Sequence, residues 1–498
     1  LRIGFAHQTY FDFARARSFA SGQISLTTFV TERQDGLFIR PILLRTLTYL
    51  RDTSYASYSR ELRNLWNMEK IKTHIRNLLI EFISDVDNPN DIEIECLLPF
   101  FEEKVIKPLI LLSIAGSKGW FGVLKDNYLP QLMQNEKNAP HLFIPLLSRA
   151  LIFERQKTLK LIKDCWIPDE KFDDIVLNLM TDLSDWSQDA VNLVNEVIGR
   201  HESVWNRHIA DKISKAVPDL APQIVLADFE RQFKAAVKNE EEYIPPEPPK
   251  EDADDEEKAI YELAHKKGRF FEKLLDQNNW YGLTKIAESS PIKFIEHIWP
   301  WFNKILELIT HESHPFIVGY RDDYCLGTTP EKGVSTESQP LSALVNAFKS
   351  FAQNHPEEYL IFFDENKGNH YLASQRLLCI GLIEIAEAYP DTVYTYLMDK
   401  PENLIIGDHS NFHKYSLRLI SKSVPVLSKG QIIHLQENVL NWNYYSKEET
   451  DWAPEDRFKR RKWNREHRLR ILRSFPKEFC TDAFNKIVFP VDFKFSEK

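Results

Sequence analysis

The densest chemistry in this 498-residue chain is a cationic run, Arg457-Phe458-Lys459-Arg460-Arg461-Lys462-Trp463-Asn464-Arg465-Glu466-His467-Arg468-Leu469-Arg470. Lys and Arg with Phe and Trp interleaved can neutralise phosphates and stack on bases. The competing reading is structural. In a helix, Phe458, Trp463, Leu469 and Leu472 would turn inward and leave a solvated basic face, and this is the arrangement expected here. A third use is docking against an acidic surface, including the acidic stretch 240–257 of the same chain. Elsewhere, His311-Glu312-Ser313-His314 sets two imidazoles three residues apart. Pro315 follows at once and no third ligand is indicated, so no metal site is expected. The sequence has no Gly-x-x-x-x-Gly-Lys-Ser/Thr loop to cradle a triphosphate, and no His-Glu-x-x-His, Gly-x-Ser-x-Gly or Gly-x-Gly-x-x-Gly. Catalysis by these residues is therefore not expected.

The elements that would carry such side chains read as helices. Gly is scarce, at 16, and a chain low in Gly and rich in Leu, Ile, Lys and Glu favours helix over a turn-rich β fold. A net charge of −10 argues against nucleic-acid binding by the surface as a whole. The five cysteines are widely separated, without a Cys-x-x-Cys pair, which fits a reducing, cytoplasmic setting. No apolar run approaches the roughly 20 residues of a membrane span.

Residues 1–69 read as short helices, with Pro41 in the first turn of one of them. Residues 70–239 form a first helical block. Its apolar stripes run through Ile75, Leu79 and Phe82; through Val105, Leu109 and Leu112; through Trp120, Leu124, Leu129 and Leu132; and through Phe143, Leu146, Leu147 and Leu151. Asp169 and Asp185 are candidate helix caps. Residues 240–257, with four prolines among closely spaced acids, read as an exposed loop. In residues 258–498 a helix repeatedly ends in small or polar residues before a proline, at Pro291, Pro356, Pro390 and Pro425. The intervals 356 to 390 and 390 to 425 are 34 and 35 residues, the length of one helical hairpin. The expected fold is thus all-α, a HEAT/TPR-like α-solenoid. Residues 311–340 and 443–463 interrupt its rhythm, and long loops in a stack tend to carry contacts.

The pattern Phe5-x-His7-x-x-x-Phe11-Asp12-Phe13-x-x-Ala16, followed by the block Leu37 to Arg51 with Arg40-Pro41, resembles the winged-helix segment of NACHT and related STAND signalling ATPases. The likeness is tightest over residues 1–65 and continues more loosely toward the helical C-terminal halves of bacterial antiviral STAND proteins. The resemblance implies a winged-helix remnant before the solenoid, and a fragment whose ATPase and effector lie upstream. It implies ATP or ADP with Mg in the full-length protein, with His7 touching the bound nucleotide. It also implies a foreign, phage-derived protein as ligand and oligomerisation on activation. The expected ligand surface is the inner side of the solenoid and its long loops, with Tyr320, Arg321, Tyr324, Trp452, Arg461 and Trp463 as anchors, because Tyr, Trp and Arg dominate interface energetics. A general helical scaffold and a nucleic-acid-binding solenoid are the alternatives.

Overall fold

The computed structural model describes residues 8–21, 24–36, 39–202, 205–244, 247, 269–276, 282–309, 339–408, 411–444 and 453–480. The fold is all-α. Among the described residues there is no β-strand, only an isolated bridge between Asp408 and Asn411. The chain divides into two compact units, Leu1–Leu193 and Val194–Lys498.

The first unit contains α1 (Gln8–Ala20), α2 (Leu26–Arg33), α3 (Ile39–Thr53), α4 (Tyr55–Trp66), α5 (Thr73–Ser84) and α6 (Asp91–Leu97). These are followed by α7 (Lys107–Ser113), α8 (Lys118–Leu124), α9 (Tyr128–Asn135), α10 (Ile144–Phe153), α11 (Arg155–Cys165) and α12 (Asp173–Met180). The next helix, α13 (Gln188–Ile198), contains the division between the units.

Local sequence explains where these helices start. Ser25 accepts from the Thr28 amide at the head of α2. Glu61, buried on α4, also accepts from the Thr27 amide at 3.2 Å, a carboxylate on the positive end of the α2 dipole. Asn90 and Glu93 form a capping box on α6, and Ser117 caps α8. Asp169 accepts from the Lys171 amide as expected. Asp185 does not cap α13. It pairs with Arg155 at 2.6 Å, while Ser187 accepts from the Ala190 amide.

The stripes through Trp120, Leu124, Leu129 and Leu132, and through Phe143, Leu146, Leu147 and Leu151, are buried. The stripe through Val105 and Leu112 is not. Both are solvent-exposed, and α7 instead buries Lys107, Ile110 and Leu111. The helix begins only at Lys107, with Pro108 in its first turn, so Val105 precedes it and the buried face is rotated.

The second unit contains α14 (Trp205–Ala216), α15 (Ala221–Glu242), α16 (Arg269–Asp276), α17 (Leu283–Ser289), α18 (Pro291–Ile309) and α19 (Pro340–Asn354). It continues with α20 (Pro356–Asn366), α21 (Leu372–Ile385), α22 (Pro390–Asp399), α23 (Lys414–Ser423), α24 (Lys429–Asn441) and α25 (Pro454–Leu472). From α17 to α24 these are successive hairpins. The first members, α17, α19, α21 and α23, pack side by side. The second members form a parallel row joined by aromatic contacts. Trp299 on α18 meets Phe362 on α20 edge-on at 5.8 Å, and Phe363 on α20 meets Tyr396 on α22 at 5.2 Å. Pro291, Pro356 and Pro390 open α18, α20 and α22, where a missing N–H costs nothing. Pro425 departs from this pattern. It lies in a 3-10 turn after α23, and Ser428 with Gln431 caps α24 instead.

Candidate functional site

The richest buried chemistry of the second unit lies where the loop between α22 and α23 meets α25. The loop is held from several sides. Asn403 donates to the Tyr396 carbonyl at 2.6 Å, and Ser416 donates to the Asn403 carbonyl while accepting from the Ile406 amide. Buried Arg376, from α21, donates to the Gly407 carbonyl. A Cβ at Gly407 would overlap the Asn411 carbonyl and the Phe412 backbone, so the turn requires glycine there. Asp408 accepts from Lys414 at 2.9 Å and from the Asn411 amide at 3.0 Å.

This loop delivers His413 to α25. His413 is fully buried, with Nδ1 2.6 Å from the Leu404 carbonyl and Nε2 2.7 Å from Nδ1 of His467. The carbonyl can only accept, so His413 carries its proton on Nδ1 and its Nε2 accepts from His467 Nδ1–H. The remaining lone pair of the pair is then on His467 Nε2. Tyr444 stacks on the His467 ring at 4.1 Å and 5°, and Trp442 meets His413 edge-on at 5.8 Å. Burial pushes the His413 imidazolium down to about 4, reinforced by His467 and Arg470. His467 is also lowered to about 4, by burial first and then by Arg470. Both rings are therefore neutral near pH 7.

The same contacts fix the orientation of α25. Its inner side carries buried Asn464, Ile471 and Leu472, together with His467. Arg468 donates to the Leu440 carbonyl at 3.0 Å. Its outer side carries Lys459, Arg461, Lys462, Arg465 and Arg470, all exposed. Phe458 and Trp463 are on this outer side as well, 75% and 50% exposed. This corrects the inward placement expected for them. Asn464, His467, Ile471 and Leu472, not the aromatics, seat the helix, and the His413 ring and the Leu440 carbonyl supply hydrogen-bonding partners on this side. Leu472 is buried as expected.

Of the anchors proposed from sequence, Arg461 and Trp463 lie on this exposed face. His7, Tyr320, Arg321, Tyr324 and Trp452 lie outside the described residues, as do His311 and His314. Among the described residues, no group of three or more His, Cys, Asp or Glu side chains is placed to hold a metal ion. No described helix is long and apolar enough to cross a membrane.

The first unit has a polar centre of a different kind. Glu93, fully buried, accepts from Tyr58 Oη at 2.6 Å, from Arg51 Nε at 2.7 Å and from the Asn90 amide at 2.8 Å. The hydrogen bond to Glu93 raises the Arg51 pKa, and burial followed by Glu93 raises that of Tyr58, so the guanidinium stays charged and the phenol protonated. Arg51 also lines an open cleft with Asp52, Glu81, Asp85 and Asp87.

No family model, curated protein or solved structure matches this chain.

Proposed function

We propose that this chain is the ligand-sensing C-terminal region of a STAND-type signalling NTPase in anti-phage defence, and that the hairpin array of the second unit recognises a foreign protein. The observation that carries the reading is that array. Paired helices stacked in two rows present repeated, independently variable side chains on a rigid scaffold, a form suited to a folded partner. The NACHT-like motif around His7 and the Arg40-Pro41 helix supports the assignment to STAND proteins. In this reading nucleotide, Mg and the switch belong to an ATPase module of the full-length cytoplasmic protein. Ligand binding releases an ADP-held resting state and permits oligomerisation. Arg461 and Trp463 offer the exposed charge and ring that a protein contact uses.

The test is mass photometry of the full-length protein with ATP and Mg, titrated with purified phage proteins one at a time. One of them should convert the protein to an oligomer and raise its ATP turnover. His7→Ala should weaken ADP retention and raise background oligomer. Failure of the full-length protein to bind ADP or ATP would overturn the reading, as would an unchanged mass with every phage protein.

A further inference from the structure

We propose that the outward face of α25 binds single-stranded nucleic acid. This goes beyond the sensing reading and does not depend on it.

Two independent observations carry it. The first is composition on a defined arc. Phe458, Lys462 and Arg465 follow one another at i, i+4 and i+7, and Lys459, Trp463 and Arg470 lie beside them on the same exposed side. At 1.5 Å per residue, Phe458 to Arg470 spans about 18 Å of helix axis. Glu466 is the acid on this arc, and it reaches Lys462 only at 3.9 Å. A cationic track of this kind is out of keeping with a chain of net charge −10.

The second observation is that packing does not account for the Phe458 ring. The helix is seated by Asn464, the His413–His467 hydrogen bond, the Arg468–Leu440 hydrogen bond, Ile471 and Leu472. Its rotation is thereby fixed, and the fixed rotation holds Phe458 at 75% and Trp463 at 50% exposure among cations. A charged face alone does not call for an exposed Phe in line with Lys462 and Arg465. A phosphate track with open bases does, because bases stack on aromatic rings while Lys and Arg neutralise the backbone. A duplex keeps its base faces stacked internally, so the rings select a single strand. An acidic protein surface is the competing occupant of the same cations and rings, and the poly-glutamate arm of the test separates its charge from base stacking.

The experiment is fluorescence anisotropy of this chain with a labelled oligothymidylate of about 20 nucleotides, repeated with the matching duplex and with poly-glutamate. Single-strand affinity should fall about 50-fold between about 50 and about 200 mM salt, as expected for roughly four neutralised phosphates. Phe458→Ala should weaken binding about tenfold, with Phe458→Leu nearly as weak, because leucine keeps apolar surface but cannot stack. Lys462→Glu with Arg465→Glu should weaken it further and flatten the salt dependence. These positions are exposed, so unchanged melting curves will show that the variants fold. Three results would each overturn the proposal: no single-strand binding at low salt, equal binding of duplex or poly-glutamate, or affinity indifferent to Phe458→Ala.

Discussion

Glu93 in the first unit and His413 in the second are both fully buried, yet the partners that surround them differ in kind. Glu93 is surrounded by donors, namely the Tyr58 hydroxyl, the Arg51 guanidinium and the Asn90 amide, a set that suits an anion. His413 has one acceptor, the Leu404 carbonyl, and one donor, His467, a set that suits a neutral imidazole. The comparison teaches that a buried polar group is defined by the count and type of its partners. It also locates acid sensitivity in the second centre, where burial and Arg470 hold the imidazoles neutral while the unfolded chain takes up protons.

The largest expected effect is on the Glu93 centre. Glu93→Ala should cost about 3–5 kcal/mol by urea unfolding, since it leaves Tyr58, Arg51 and the α6 cap without their shared acceptor. Glu93→Gln should cost less because an acceptor remains. A loss below about 1 kcal/mol in the Ala variant would break the contrast.

The neutral centre should show itself through pH. The folded pKa of His413 is about 4, against an ordinary value of 6.5. The unfolded chain therefore binds more protons than the folded chain between these values, and stability falls as pH drops from 6.5 to 4. The stabilisation is complete above pH 6.5. For His413 alone the loss is about 3 kcal/mol. His413→Phe should remove that part of the slope, so the difference between wild-type and variant urea midpoints across pH 4 to 6.5 is the readout. Parallel profiles would show that the pair does not titrate on unfolding.

Gly407→Ala should destabilise the loop that delivers His413 by about 2 kcal/mol, through overlap with the Asn411 and Phe412 backbone. Hydrogen exchange should quicken first in α23 and α25. The smallest effect belongs to the outer face, where Phe458→Ala should change stability by less than about 0.5 kcal/mol. A larger loss would mean that Phe458 supports the fold after all.

The helical hairpins were legible because their markers are local. Pro291, Pro356 and Pro390 open their helices, and proline at a first turn needs no knowledge of the partner helix. The buried face of α7 was read wrongly, since Val105 and Leu112 have helical spacing but the helix starts after Val105. The histidine pair was not legible at all. His413 and His467 are 54 residues apart, and only the packed loop brings them together. The rotation of α25 left a weak trace, the spacing Asn464, His467 or Arg468, Ile471, which marks its inner side. Eight Lys and Arg with two aromatics outweighed that trace, because aromatic residues are read as core by default.

The side-by-side rows of the second unit have a mechanical consequence. In such a stack each hairpin is held chiefly by its sequence neighbours. Tension applied along the chain is therefore borne by one junction at a time, and the stack can lengthen by peeling one hairpin while the next remains intact. Extension under force becomes a series of small reversible steps, and a molecule built this way yields gradually where a single-core domain of the same size would rupture.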